Sequence, residues 1–286
     1  MAKPLTKEIL EFDTHAIKQR ELEVSMESDQ EIVERLRERF DILKEMTVAV
    51  KSGDVRAMIV SGPPGVGKSF GVEEVLSKDD VFNKLSDRKP KYEVVKGAMS
   101  ALGLYKKLYE FSDEKNVVVF DDCDSVLMDD VSLNILKGAL DSSKRRFIAW
   151  NTDSRLLRNE DIPNRFEFKG SAIFITNIKF EHVKSKRLRD HLDALESRCH
   201  YIDLQMDTER EKLLRIKQII NDGMLNTYDF DEPDLVRDEI INYIDTNKSK
   251  LRELSLRMVL KIADLRKSFP NTWESMARTT CMRRGA

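Results

Sequence analysis

Cysteine is scarce in this chain: three in 286 residues, Cys123, Cys199 and Cys281, an odd number with no CxxC pattern. That excludes a disulfide framework and a cysteine zinc site, and points to a reducing, cytoplasmic compartment. Histidine is equally thin. His182, His191 and His200 stand nine residues apart each time, which is no ligand spacing on one helix face, so histidine coordination of a metal is not expected. Aromatics make up 7%. No stretch approaches eighteen consecutive apolar residues and the opening MAKPLTKEILEFDTH has no apolar run of signal-peptide type, so no membrane association is expected. An excess of one charge is missing too: with 49 basic and 51 acidic residues the net charge is −2, which argues against a polycation built for nucleic acid.

Charged residues, at 35%, are plentiful instead, as in a helix-rich chain with long solvated faces. The length is enough for one large domain and a smaller one. Residues 1–30 are polar and without clear periodicity, and read as an arm or an extension that binds a protein partner. DQEIVERLRERFDILKEMTVAV places Ile32, Leu36, Phe40, Leu43 and Met46 on one helical stripe, with Asp29 as the expected cap. Strands then alternate with helices. AMIVSG, YEVVKG (92–97), NVVVFDD (116–122), SAIFITN (171–177) and CHYIDLQM read as strands; KSFGVEEVLS, SALGLYKKLYEFS, SLNILKGALDSS and RLRDHLDALESR read as the helices between them. Such alternation predicts an α/β fold, a parallel sheet sandwiched by helices. From Thr208 onward the helical pattern dominates and predicts a small all-α lid. The expected division is an arm over 1–30, an α/β core over 31–206 and a lid over 207–286. Only residues 144–170 break the alternation: RFIAW and RFEFK flank a polar centre and predict an inserted β-hairpin.

The chemistry is concentrated in a few stretches. Gly62, Pro63, Pro64, Gly65, Val66, Gly67, Lys68 and Ser69 fit the G-x-x-x-x-G-K-[ST] pattern between a strand and a helix, with Phe70 directly after. Glycines let backbone N–H groups turn toward phosphate oxygens, and the following helix presents its positive end to them. Lys68 would neutralise β and γ oxygens, and the Ser69 hydroxyl would ligate Mg²⁺. VVVFDDCD (117–124) sets Asp121 at a strand tip, where it would hold the Mg²⁺ shell. Asp122 then stands where a water-polarising carboxylate is wanted. Two adjacent residues at a strand end splay apart, so one carboxylate at most serves the metal.

With these residues the chain resembles the AAA+ ATPase superfamily over about residues 30–270. The resemblance implies ATP and Mg²⁺ as ligands, ATP hydrolysis, a P-loop sheet core followed by a helical lid, and a homo-oligomeric ring, a hexamer. It departs from the family's usual Asp-Glu pair: FDDCD has Asp122, one methylene shorter, which implies slower turnover or a shifted backbone. Asn177 in IFITN resembles sensor 1, which orients the attacking water. ESRC (196–199) resembles the SRC motif of clamp loaders and makes Arg198 an arginine finger for a neighbouring subunit. In LRELSLRMVLKIADL (251–265), read as one lid helix, Arg257 resembles sensor 2, with Arg252 as the fallback. The inserted hairpin and FEFKGSAIFITN are similar to AAA+ proteins of phages and mobile elements.

The partner is less sharply marked. Residues 142–190 hold twelve basic residues (Lys144, Arg145, Arg146, Arg155, Arg158, Arg165, Lys169, Lys179, Lys184, Lys186, Arg187 and Arg189) against six acidic ones. With Phe147 and Trp150 among them, that excess suits a DNA backbone with some base stacking. Subunit bridging by the arginines, with the aromatics pinning the hairpin to the core, accounts for the same residues. SALGLYKK matches the place of family pore loops, with Gly103 in register but Leu102 where an aromatic is usual and Tyr105 nearby. Three readings follow: an ATP-driven ring on DNA or protein–DNA complexes, a protein-remodelling ATPase of the MoxR or unfoldase kind, and a slow nucleotide-gated assembly switch.

Overall fold

The computed structural model describes residues 22, 24–78, 89–152, 154–180 and 183–284; most of the expected N-terminal arm lies outside the described residues. Two compact units form. One gathers Arg39–Gly62 and Gly67–Leu204; the other gathers Pro63–Val66, Gln205–Ala286 and the described residues up to Glu38.

The first unit is built on five strands: β1 (Ala57–Ser61), β2 (Tyr92–Lys96), β3 (Val117–Asp121), β6 (Ser171–Thr176) and β7 (His200–Asp203). They pair in the order β2-β3-β6-β1-β7, all parallel. The three inner strands are buried at every residue, and the two edge strands are only partly covered. This is why AMIVS, VVVFD and SAIFIT are continuous apolar runs: with both faces covered there is no polar side to alternate with. Ile59, Val118, Phe120, Ala172 and Phe174 project into one hydrophobic cluster, where the rings of Phe120 and Phe174 stack at 5.2 Å.

The flanking helices of this unit are α2 (Lys68–Ser77), α3 (Ala101–Glu110), α4 (Asp124–Leu127), α5 (Asp130–Ala139) and α7 (Lys186–Glu196). Leu104, Leu108, Leu133, Leu136, Leu192 and Leu195 carry α3, α5 and α7 into the same cluster. Each buried leucine of this kind contributes about 1.5–3 kcal/mol. Three helices start at serine or aspartate caps: Ser100 accepts from the Gly103 N–H, Asp129 from Ser132, and Ser185 from Leu188.

The expected hairpin is present as β4 (Phe147–Ala149) antiparallel to β5 (Arg165–Glu167), forming a two-stranded sheet of its own. Its polar centre is not a plain loop, however, because Arg155–Asn159 forms a short helix, α6, capped by Ser154. One further expectation about this segment needs correction. Arg146 is buried and donates to the carbonyls of Ala139 and Gly170, both at 3.0 Å, so it braces the hairpin and is not open to a DNA phosphate. Trp150 packs its ring 5.7 Å from Tyr105 at the edge of the core cluster. Tyr105 is itself wholly buried, donates to the Pro163 carbonyl and lies on helix α3, so it is no pore-loop aromatic.

Gly170 joins β5 to β6 where no side chain fits. A Cβ there would lie 2.2 Å from the Phe111 carbonyl oxygen and 3.1 Å from that of Asn116. Both obstacles are backbone, so Gly170→Ala should cost about 1–3 kcal/mol or more and lower the thermal midpoint by roughly 2–12 °C, read by calorimetry.

Helix α1 (Asp29–Ser52) begins at Asp29 itself. The cap is Ser28, not Asp29: Ser28 Oγ accepts the Glu31 N–H while Glu31 Oε2 accepts the Ser28 N–H, a reciprocal box. In the second unit Arg210 fastens the start of this helix, donating to Asp29 Oδ1 and to the Val24 and Glu27 carbonyls. Helices α8 (Glu209–Ile219), α9 (Pro233–Asn247), α10 (Leu256–Ser268) and α11 (Trp273–Cys281) enclose this unit's own core, with Ile216, Ile240, Ile244, Val259, Ile262 and Trp273 at its centre. The expected single helix over 251–265 starts only at Leu256, because Ser255 caps it and Leu251 bridges to Met282. No described helix is long and apolar enough to cross a membrane.

Candidate nucleotide site

Strand β1 delivers the chain into the glycine loop. A Cβ on Gly62 would lie 3.0 Å from the Leu204 carbonyl oxygen, so the loop leaves the sheet at a glycine. Gly65 and Gly67 take φ of 71° and 101°, the left-handed region in which glycine is unstrained. Gly67 is the N-cap of α2, no side chain caps that helix, and no acidic residue sits in its first turn. The N–H groups at that end therefore keep their affinity for an anion.

Around Gly62 and Lys68, the first unit assembles a chain of polar contacts. Lys68 is 6% exposed; its ammonium donates to the Gly62 carbonyl at 2.6 Å and to Asn177 Oδ1 at 2.7 Å. Asn177 Nδ2 in turn donates to Asp122 Oδ1 at 2.8 Å. Parallel pairing of β3 with β6 and of β6 with β1 places these residues at neighbouring carboxyl ends of three strands. Asp122 leaves β3 with φ 54° and gives its N–H to the Ile175 carbonyl, which turns its side chain toward Asn177. Asp121, still in the strand and 5% exposed, is directed elsewhere: Oδ1 accepts from Ser69 Oγ at 2.9 Å. The two adjacent carboxylates do splay apart, one to Ser69 and one to Asn177.

Ser69 and Asp121 fit a magnesium ion. Both offer hard oxygen donors, and 2.9 Å is about the separation of two neighbouring ligands on an octahedron with bonds of about 2.0–2.1 Å. Among the described residues no group of three or more His, Cys, Asp or Glu side chains gathers elsewhere to hold a metal. Phe70 stands 74% exposed in the first turn of α2.

Two further members of this neighbourhood were not evident from sequence. Lys96 is in register with Asp121 across β2 and β3, and its ammonium lies 3.4 Å from Asp121 Oδ2. Pairing with Glu73 and with Asp121 holds the Lys96 ammonium above its ordinary pKa. Thr176 donates to Asp124 Oδ1 at 2.8 Å, tying the end of β6 to the start of α4. The Cys123 thiol between them is buried and pushed up to about 11, first by that burial and then by Asp121.

Arg198 is not brought into this group. It follows the C-terminus of α7, half-buried, where its guanidinium donates to the Ala194 carbonyl and reaches Ser197 Oγ at 3.5 Å. Its Nε is buried with no partner among the described residues.

The second unit holds Pro63–Val66 beside the start of α10. The Leu256 N–H donates to the Gly65 carbonyl at 2.7 Å. A Cβ on Gly65 would meet Ser255 Cβ at 2.7 Å and Arg257 Cγ at 3.7 Å. Arg257 thus stands beside Gly65. Arg252 does not: it lies before the helix and is spent on the chain end, donating from Nε to the Met282 carbonyl and from its backbone to Cys281.

A glycine loop of this form between β1 and α2, on a parallel sheet ordered β2-β3-β6-β1-β7 and followed by a helical unit, defines the P-loop fold of AAA+ type. No family model matches the chain. It is 32% identical over 254 residues to an uncharacterized 36.7 kDa protein of the nrdC-mobD intergenic region of Enterobacteria phage T4, covering 88% of this chain and 76% of the phage protein. The chain belongs to the family of that phage protein. Among solved structures it is similar, at 10% identity and a TM-score of 0.48, to NtrX from Brucella abortus in complex with ATP; the match covers 99% of this chain and 63% of NtrX.

Proposed function

We propose that the chain is an ATP-hydrolysing AAA+ motor that works as a homo-oligomeric ring, a hexamer, on DNA or protein–DNA complexes. The observation that carries the reading is the linked set Gly62–Lys68–Asn177–Asp122 beside the Ser69–Asp121 pair. Lys68 and the N–H groups at the start of α2 bind and orient the triphosphate. Ser69 and Asp121 would hold magnesium, which when bound would supply charge to neutralise the triphosphate. Asn177 bridges Lys68 to Asp122 and so sets the carboxylate relative to the phosphate. Asp122 accepts the proton of the water whose oxygen bonds the γ-phosphorus as the bond to the β–γ bridging oxygen breaks. Arg257 meets the γ-phosphate from beside Gly65, and Arg198 serves the site of a neighbouring copy.

Asp122→Asn keeps the shape and the Asn177 contact but cannot take a proton. It should lower kcat by about 10²–10⁴ while ATP affinity stays within a few-fold, read by phosphate release and by calorimetric titration. Unchanged turnover would remove Asp122 from the chemistry.

The DNA side of the reading is supported by the cationic segment 142–190, less the buried Arg146. It is tested by steady-state phosphate release with and without single-stranded DNA. Stimulation by a polypeptide with DNA inert would favour protein remodelling, against which the buried Tyr105 weighs. Low turnover unchanged by either would favour an assembly switch, for which the short Asp122 engaged by Asn177 is the relevant feature.

A further inference from the structure

The first unit has a second concave site, at the opposite end of the strands from the glycine loop. A cleft of about 320 Å³ opens where the chain enters β1, β3 and β4 and where β5 leads toward β6. Five cations line it: Arg56, Lys115, Lys144, Arg146 and Lys169. Two carboxylates, Glu114 and Glu167, face them, and Glu167 is already paired with Arg145 through two contacts of 3.0 Å. Asp141 contributes its backbone carbonyl to the Arg56 guanidinium at 2.9 Å, and its carboxylate accepts the Ser143 N–H.

Like charges gathered around a concave, partly desolvated space repel one another unless an anion joins them. Arg146 registers that repulsion: burial first, then the neighbouring Arg56, push its guanidinium down to about 10. Lys115, Lys144 and Lys169 make no salt bridge among the described residues, and all three are exposed. The cleft is near the lower end of the ~300–1,000 Å³ range of small-ligand sites, room for a few linked phosphates rather than a large base. Beside it, Arg145 and Arg165 both lie over the exposed Phe147 ring, at 4.9 Å and 4.5 Å from its centre, extending the cationic surface along the hairpin.

We infer that this cleft is a binding site for phosphate-ester anions, with Lys144 and Lys169 as its mobile contacts and the half-buried Arg56 at its base, while the buried Arg146, held by the Ala139 and Gly170 carbonyls, adds its charge from beneath without contacting the ligand. The continuing surface over Phe147 favours a stretch of single-stranded nucleic-acid backbone as the source; a free polyphosphate shares the same chemistry. The inference reaches beyond the proposed ATPase, because Arg56 and Lys115 lie outside the segment 142–190 and the site requires no turnover.

The test uses the full chain carrying Lys68→Ala, so that binding at the glycine loop is removed and a failure of the ATPase reading leaves the result intact. Labelled single-stranded DNA, by anisotropy, and inorganic tripolyphosphate, by calorimetry, are titrated at about 50 mM salt. Lys144→Gln with Lys169→Gln should weaken binding at least about tenfold and reduce the salt-dependence slope for DNA by about one to two. Lys184→Gln with Lys186→Gln, which removes the same charge from the same segment outside the cleft, should change either by less than about threefold. Loss of DNA binding identifies a nucleic-acid backbone; loss of tripolyphosphate binding alone identifies a free phosphate compound. Equal weakening by the two double variants would reduce the effect to bulk charge and overturn the inference, as would binding of neither probe by the parent.

Discussion

Lys68→Ala should leave a folded protein that no longer captures ATP. The Lys68 ammonium is buried, and the Gly62 carbonyl and Asn177 Oδ1 both accept from it and aim it along the loop. Truncating one partner of a buried, hydrogen-bonded charge pair costs about 2–5 kcal/mol, roughly a 30- to several-thousand-fold loss of affinity. Calorimetric titration with Mg-ATP reads the loss directly. The thermal midpoint gives a second reading: ligand at 100 times its Kd adds about 2.7 kcal/mol to the parent's stability, and the variant should show none of that gain. Without nucleotide, the variant should still show a cooperative melt, because Asn177 keeps its bond to Asp122 and the buried strands on either side are untouched. Equal ATP affinity in the two proteins would detach the glycine loop from nucleotide altogether.

The parts of this site that were legible in the sequence are those whose chemistry is fixed by local order. Strand, glycine loop and helix follow one another in the chain, so Gly62–Ser69 could be placed from the pattern alone. Asp121, Asp122 and Asn177 could be placed because they end apolar runs, and an apolar run buried on both faces of a sheet has its functional residues at its tip. Lys96 escaped notice for the opposite reason. It also ends a strand, but only the pairing of β2 with β3 in register makes it a neighbour of Asp121, and strand adjacency is not written in any single run. Composition left Arg146 open between two roles. A basic and aromatic cluster has the same residues whether it binds phosphate or braces a hairpin, and only the carbonyls of Ala139 and Gly170 decide which. Capping was mistaken by one residue at Asp29 and by several at the start of α10, where Ser255 holds the Met258 N–H. In both cases a nearby serine outcompeted the residue that periodicity favoured, since a hydroxyl close to the backbone caps at little cost.

Arg198→Ala should separate binding from hydrolysis. Among the described residues the guanidinium hydrogen-bonds the end of its own helix, at the Ala194 carbonyl and Ser197 Oγ, with Nε left unpartnered, and its charge also acts on Asp141. A cation at a helix C-terminus gains about 0.3–1 kcal/mol, little enough to be given up for a triphosphate. Stabilising the charge of phosphoryl transfer is worth far more: an arginine finger supplies about 10³–10⁵ in kcat. The variant should therefore bind ATP within a few-fold of the parent and hydrolyse it about 10³–10⁵ times more slowly. In the proposed ring the finger comes from another copy, since Arg198 makes no described hydrogen bond or ion pair with Lys68, Asn177 or Asp122 of its own chain. Mixing Arg198→Ala protein with Asp122→Asn protein then regenerates sites that have an intact arginine on one side and an intact carboxylate on the other, and phosphate release from the mixture should exceed that of either alone. A structural Arg198, serving only its helix end, predicts the contrary on both counts: parent-like turnover in the variant, and no gain on mixing. Turnover that is independent of protein concentration, in a species whose mass stays that of one chain, would exclude the shared site even if the variant were slow.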